Sequence, residues 1–559
     1  MHMPLRKDSA LQKKLGDISR EAEERDAERR AARLGIPYAD VRKLPVSIEA
    51  VKLITEADAK RAEVVALELK AREVAVAAYN PASPEAQEIF SRLEAKKYTV
   101  RPFVASRSGI EAVWHYYEFV PPEAKEITGK VELARFKELM GRLTTTEKVA
   151  AEFKGINFSK TSTTALFEII LAGALANGAS DIHLEANEKE TLLRYRLDGV
   201  LHDVFKSIPR RNYESVVSRV KLLAGLKINI HGEPQDGRFT VDVDDKEIEI
   251  RVSIAPAEFG EAIVMRVLDP HAISSGLPEL GLRADDLAMV TAELAKPNGL
   301  ILNTGPTGSG KTTTLYAFLR HIASPEIKVI TIEDPIEYRL PGIEQTQADP
   351  KSNYTFANGL RSILRQDPDV ILVGEMRDKE TADIGLQAAL TGHLVFSTLH
   401  TNDAVGAVPR LIDLGAKPQT VASALTLTIA QRLVRRLCTV CRKKTEPPRE
   451  LLVHIEKFLK SLPGRVDKAL YQKPIVYEPA GCDACNKTGF KGRAGVFEFL
   501  EGGPEFGEIV STGGTEIALR AFAKKSGMVT MQEDGILKVL QGITSLEEVE
   551  KVTGPIAWK

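Results

Sequence analysis

Cysteine is scarce: the 559-residue chain has four, all between positions 438 and 485. A disulfide framework spread over several domains is thereby excluded, and so tight a cluster in a reducing compartment points to metal instead. Charge of one sign is also lacking. The 76 Lys and Arg nearly cancel the 77 Asp and Glu, for a net charge of −1. Such a balance gives no field of the kind that duplex DNA attracts, and the aromatic residues, 6% of the chain, do not interleave with a basic stripe. Direct nucleic-acid binding is therefore not expected. Long apolar runs are missing too. The best stretch, Leu166 to Ala176, contains Glu168 and is too short to span a bilayer. Met1 to Arg30 is charged and has no apolar h-region, so no secretory signal is read there. The expectation is a cytoplasmic protein, peripheral to a membrane only through partners.

What is present divides into several segments, because a chain this long exceeds one core and predicts three or four domains at roughly 150 residues each. Residues 1–35, rich in Glu, Arg, Lys and Ala over 9–35, predict a solvated charged helix. Residues 36–118 predict a small α/β adaptor domain, with strands at Val64–Leu69 and Val74–Tyr79 and a turn, Asn80-Pro81-Ala82-Ser83-Pro84, leading into a helix. Residues 119–161 predict a linker with some helix. Residues 162–270 predict a second α/β unit: Leu192–Arg196, Phe239–Val243 and Ile248–Val252 alternate as strands, and Asp198-Gly199 and Asp236-Gly237 mark turns. In 271–437 the apolar strands Gly299–Asn303, Val329–Ile332, Val370–Val373 and Leu394–Thr398 alternate with helices, which predicts a parallel sheet covered on both faces. Residues 438–500 carry the cysteines, and 501–559 predict a helical tail.

The run Gly305-Pro306-Thr307-Gly308-Ser309-Gly310-Lys311-Thr312 satisfies the phosphate-loop pattern in full. It lies between a strand and a helix-forming run, Thr313 to His321, as the motif requires. Glycines let the backbone fold tightly and aim its amides at phosphate oxygens, and the helix N-terminus adds positive potential. Lys311 is expected on the β- and γ-phosphates of ATP and Thr312 on Mg²⁺, with Gly305 to Thr313 forming the nucleotide site. Phosphoryl transfer also needs carboxylates. Two groups follow strand ends: Thr331-Ile332-Glu333-Asp334-Pro335-Ile336-Glu337 and Asp369-Val370-Ile371-Leu372-Val373-Gly374-Glu375-Met376-Arg377-Asp378. Strand carboxyl ends are where ligands gather in open α/β sheets. His393 and His400 flank the strand Leu394–Thr398, and both read as γ-phosphate sensors or hydrogen-bond relays.

Through these motifs the chain resembles the ATPases of type II secretion and type IV pilus assembly. Further signatures carry the resemblance: Ala179-Ser180-Asp181-Ile182-His183-Leu184-Glu185, Pro234-Gln235-Asp236-Gly237-Arg238, and a histidine box from Thr391 to Asn402. The resemblance implies a RecA-like P-loop ATPase domain, a preceding PAS-like α/β domain and an N-terminal α/β adaptor domain. It implies that Glu337 orients the attacking water, Glu333 supports it, Glu375 manages Mg²⁺ and His400 senses the γ-phosphate. Arg238, Arg251 and Arg266, from the preceding domain, would complete the site. Members of the family work as homo-hexamers that move an inner-membrane platform protein of a pilus or secretion assembly. Here His231-Gly232-Glu233 stands before the Pro-Gln-Asp-Gly-Arg run where the family often has a basic residue. The motif by which some relatives bind cyclic di-GMP is not found before residue 36, and that ligand is not expected.

Cys438-x-x-Cys441 and Cys482-x-x-Cys485 form two arms of a tetrathiolate site, and four soft thiolates favour Zn²⁺ in a closed structural role. The intervening 442–481 must make an excursion, with a helix at Leu451–Leu462. Pilus-retraction motors are shorter and lack both the long N-terminal region and the four cysteines. A DNA-uptake or conjugation ATPase is disfavoured by the near-zero charge. An ATP-binding scaffold without turnover is disfavoured by the presence of Lys311, Glu337 and Glu375.

Overall fold

The structure, a computed structural model, describes residues 7–44, 46–119, 133–243, 246–269, 276–472 and 474–558. The chain folds as two units, Met1–Val267 and Leu268–Lys559. Among the described residues no helix is long and apolar enough to cross a membrane.

The first unit holds two cores. In one, β1 (Val64–Lys70), β2 (Glu73–Ala78) and β3 (Thr99–Val104) form a sheet in that order, β1 antiparallel to β2 and β2 parallel to β3. Val65, Val76 and Ala78 are buried with Ile89, Phe90 and Leu93 of the helix Pro84–Ala95. Ser83 caps that helix by accepting from Ala86 N–H, as the Ser-Pro start predicts. The N-terminal helix, Lys7–Leu34, is mostly exposed from Arg20 on, as the solvated reading expects, with one contact stripe. Near its end Ala27 and Ala31 are buried, Arg30 stacks 3.8 Å over the Tyr79 ring, and Glu24 accepts from Tyr38 and Ser106. Charged side chains here are anchors to the adaptor domain, a role that helix composition alone does not distinguish from solvation.

The second core is a six-stranded sheet of β4 (Asp181–Ala186), β5 (Thr191–Leu197), β6 (Val200–Lys206), β7 (Gln235–Val243), β8 (Lys246–Ala257) and β9 (Gly260–Leu268). Their spatial order is β6-β5-β4-β9-β8-β7. Helices Thr163–Ala176 and Arg210–Leu223 cover it with Leu166, Ile170, Val216 and Val220. Helices Leu133–Arg142 and Thr146–Gly155 bury Phe136, Leu139, Val149 and Phe153 in the same core. The described part of 119–161, expected as a linker with some helix, thus holds two helices packed on this core: apolar residues three and four apart give them a buried face. Residues 120–132 of that expectation lie outside the described residues.

The second unit is built on a seven-stranded sheet. Its strands are β10 (Gly299–Thr304), β11 (Val329–Glu333), β12 (Glu344–Gln347), β13 (Val370–Val373), β14 (Leu394–Leu399), β15 (Leu425–Leu437) and, after an insertion, β18 (Phe490–Glu501). They lie in the order β12-β11-β13-β14-β10-β15-β18. Neighbours from β12 to β15 are parallel, and β18 runs antiparallel to β15. Leu300, Leu302, Ile371 and Val395 enter one buried layer, and Ile301, Leu372 and Phe396 the other. Burial on both faces is why these strands read as unbroken apolar runs. β18 falls inside the stretch read from sequence as one cysteine subdomain, yet it completes the sheet edge, pairing from Leu427 with Glu501 to Leu437 with Phe490. The cysteine segment is thus an insertion between two neighbouring strands. It contains β16 (Lys443–Thr445) paired with β17 (Val476–Glu478) and the helix Arg449–Ser461. Phe458, Leu462, Val466 and Tyr471 pack there on Val529, Ile536 and Leu537 of the helical tail. A buried ionic cluster joins the parts: Arg283 meets Asp286 at 2.6 Å and Asp534 at 2.8 Å, and Arg465 meets Asp286 at 3.0 Å.

Candidate active site

The phosphate loop leaves the carboxyl end of β10 and enters the helix Lys311–Ile322. Gly305, Gly308 and Gly310 have φ of 149°, 78° and 89°, which side chains rarely tolerate. Space matters as well: a Cβ at Gly305 would sit 2.4 Å from the Gln431 carbonyl oxygen. Pro306, Thr307 and Gly308 are exposed, Ser309 is buried, and Thr312 and Thr313 are half-buried. Lys311 Nζ donates to the carbonyls of Gly305 (2.8 Å) and Pro306 (3.1 Å), so its ammonium lies across the loop. Burial pulls that ammonium below its ordinary pKa, with Glu375 opposing.

Threonines lace the neighbouring strand ends together. Thr398 Oγ1 donates to Gly374 O (2.7 Å), and Met376 N–H to Thr398 O (3.1 Å), tying the β13 turn to β14. Thr304 Oγ1, at the end of β10, donates to Leu399 O (3.1 Å) and accepts from Thr401 N–H (2.8 Å). This lacing fixes Glu375 and His400 side by side. Glu375 pairs with Arg377 at 2.5 Å and lies 3.8 Å from His400 Nε2. Burial, with the Lys311 charge, holds the His400 imidazole below its ordinary pKa against Glu375. His393 does not share this place. It precedes β14 at the opposite end, and its Nδ1 lies 3.0 Å from Ala388 O. Six residues at about 3.3 Å each put it roughly 20 Å from the carboxyl edge. Its expected role as a phosphate sensor is corrected to a local structural one. Asp378 likewise caps the helix Lys379–Leu390 by accepting from Thr381 N–H at 2.9 Å.

Glu333, 4% exposed, ends β11 with its carboxylate already engaged. It accepts from Tyr316 Oη–H, from Thr331 Oγ1 (2.6 Å) and from Gln345 Nε2 (3.2 Å). Burial and this carboxylate push the Tyr316 phenol well up. Gln345 in turn donates to Tyr338 O (2.9 Å) and accepts from Leu340 N–H (2.7 Å). Glu333 thereby reaches, through one amide, the segment directly following half-buried Glu337. Sequence reasoning missed Thr304, Tyr316 and Gln345. The available signal was a polar residue inside an apolar strand or helix run.

The three arginines belong to the first unit. Arg238 on β7 and Arg251 on β8 are cross-strand neighbours, and both face Glu249, at 3.5 and 3.0 Å. Arg238 is 74% exposed at its side chain. Arg266 on β9 pairs with Asp181 (3.1 Å), which also holds Arg196 (3.2 Å), so the Ala-Ser-Asp motif is a clamp for an arginine. His231, in place of the expected basic residue, has Nδ1 2.7 Å from Glu261, and buried Lys221 pairs with the same carboxylate at 2.6 Å. Burial works to raise the Glu261 pKa, but His231 and Lys221 outweigh it and hold it low.

The four cysteine sulfurs lie within 4.8 Å of one another, where β15 ends and β18 is about to begin. Cys438–Cys482, Cys441–Cys485 and Cys482–Cys485 are 3.9, 3.8 and 3.8 Å apart. A tetrahedron with Zn–S of about 2.3 Å has edges of about 3.8 Å, so the set fits a closed thiolate site. Cys485 Sγ accepts from the N–H groups of Cys482 and Gly489, each at 3.2 Å, as a thiolate needs.

A parallel sheet that presents a phosphate loop at its carboxyl edge, beside Glu375 and His400, is the core of a P-loop ATPase. Comparison with known proteins narrows this class. The chain belongs to the type II/IV secretion system protein family, whose profile matches residues 159–551, and residues 34–119 match the MshEN domain. It is an ATP hydrolase of that motor family. It is 45% identical over 389 residues to the type II secretion system ATPase E of Vibrio cholerae, covering 69% of this chain and 75% of that one. It is 36% identical over 529 residues to the type IV pilus assembly ATPase PilB of Myxococcus xanthus, covering 93% and 89%. Among solved structures, the ATPase DotB of Legionella pneumophila shares the fold, with a TM-score of 0.51 and 21% identity over 70% of this chain and 96% of that one.

Proposed function

We propose that this ATPase works as a cytoplasmic hexameric ring that powers type IV pilus assembly by moving an inner-membrane platform protein. The observation that carries the choice of client is the extent of similarity. One pilus-assembly relative, that of Myxococcus xanthus, matches 93% of this chain, whereas the type II secretion relative and the pilus-assembly relative of Pseudomonas aeruginosa each match 69%. The site residues support a division of labour. Amides of Gly305–Thr313 and the Lys311 ammonium hold the triphosphate. The Thr312 hydroxyl and Glu375 carboxylate are hard oxygen donors that suit Mg²⁺, which when bound neutralises phosphate charge. Glu337 orients the attacking water, and Glu333 fixes its loop through Gln345. His400 reports the γ-phosphate. By the family resemblance, Arg238, Arg251 and Arg266 supply cations to the developing charge. The tetrathiolate site holds Zn²⁺ structurally. Sedimentation of the full chain with Mg-ATP tests the ring. Six-fold mass, with turnover per chain rising with concentration, is expected. A monomer with concentration-independent turnover would refute it.

A further inference from the structure

Beneath the phosphate loop lies a side chain that none of the nucleotide motifs contains. Gln431, 3% exposed, follows Ala430 on β15, the residue that pairs with Thr304 of β10. Its Oε1 accepts from Asn303 Nδ2 (3.0 Å) and from Thr314 Oγ1 (2.8 Å), both fully buried. Asn303 belongs to the strand that enters the loop, and Thr314 to the helix that leaves it. Two donors on Oε1 fix the amide's orientation and turn its NH₂ toward the loop. A Cβ placed on Gly310 would lie 2.8 Å from Gln431 Nε2, and one on Gly305 2.4 Å from the Gln431 carbonyl oxygen. The loop therefore rests on this residue at both of its ends. A buried amide held this way is costly to misplace, because each orphaned partner loses its hydrogen bond.

We propose that Gln431 is a positioning residue for nucleotide binding. Its side-chain carbonyl clamps the entry strand and exit helix together, and its NH₂ keeps a partial positive charge under Gly310. This rests on the reading of Gly305–Thr313 as the nucleotide site. Neighbouring Arg432 reaches Asn402 of the histidine box (Nη2 to Oδ1, 3.3 Å), so β15 braces both parts of the site from one strand.

Gln431→Glu keeps an oxygen for Asn303 and Thr314 but replaces the NH₂ with negative charge under the loop. Gln431→Leu removes both. The test uses the full chain and compares wild type, both variants and Lys311→Ala by fluorescent-ADP titration and thermal melting with and without Mg-ADP. The expected result for Gln431→Glu is at least a tenfold weaker ADP affinity, about 1.4 kcal/mol. Its melting point without nucleotide stays close to wild type, while its ADP-induced rise shrinks. A purely structural residue would lower the nucleotide-free melting point and spare that rise. Gln431→Leu should lose both. If Gln431→Glu binds ADP like wild type while Lys311→Ala does not, the proposal fails and the loop assignment stands. If Lys311→Ala also binds like wild type, the loop assignment itself fails.

Discussion

Removing the Zn²⁺ proposed for the tetrathiolate cluster tests how the inserted segment is held. The cluster ties Cys438 and Cys441, just after β15, to Cys482 and Cys485, just before β18, across residues 442–481. A crosslink that closes a loop of about 40 residues restricts the unfolded chain by about 4 kcal/mol on the loop-entropy model. That figure is an upper bound for the insertion, since the β16–β17 pair and the packing of Phe458 and Leu462 on the tail remain without it. Cys482→Ser should therefore abolish stoichiometric zinc and weaken the insertion by up to about 4 kcal/mol. Colorimetric zinc release, thermal melting and limited proteolysis read this, with new cleavage sites expected within 442–481. The sheet should stay folded, because β15 and β18 pair along their length from Leu427 to Leu437 beyond the cluster. Full zinc content in the variant, or an unchanged melt and protease pattern, would refute the reasoning.

Single contacts give further expectations. Glu548, 5% exposed, holds Arg435 of β15 in two hydrogen bonds of 2.9 and 2.5 Å. Burial works to raise the Glu548 pKa, but Arg435 outweighs it and holds it below the ordinary 4.5. The stability it supplies is present above pH 4.5 and lost as pH falls through the lower folded value. Glu548→Gln should cost about 3 kcal/mol at pH 7 and flatten this acid limb in denaturant melts. A variant as stable as wild type on both sides of that limb would count against the pair. Glu337→Gln should lower turnover about 10²- to 10⁴-fold with ADP affinity kept. Arg251→Ala should lower turnover about 10²- to 10³-fold, again with affinity kept. Steady-state ATPase and nucleotide titration on the same samples check both, and lost affinity would make these residues binding groups instead.

The sheet strands were legible because burial on both faces leaves continuous apolar runs, and the phosphate loop because its glycines and lysine have fixed spacing. The clustering of Cys438, Cys441, Cys482 and Cys485 was legible for the same reason. What escaped was set by tertiary partners. Phe136 and Phe153 sit in short charged segments, and they find a surface to bury against in the core of the second α/β unit. β18 reads as part of the cysteine segment because its pairing with β15 spans an insertion. His393 and His400 look equivalent along the chain, and the strand's direction separates them. Gln431, Tyr316 and Gln345 carry no motif, since their role depends on which buried donor or acceptor they meet.

Gly305–Thr313 is proposed to grip a triphosphate through its amides and Lys311. The most direct measurement pairs ATP binding with hydrolysis in wild-type chain and in Lys311→Ala, at equal melting temperature. Wild type should bind and hydrolyse Mg-ATP, and the variant should lose both. Turnover in Lys311→Ala equal to wild type would contradict that claim.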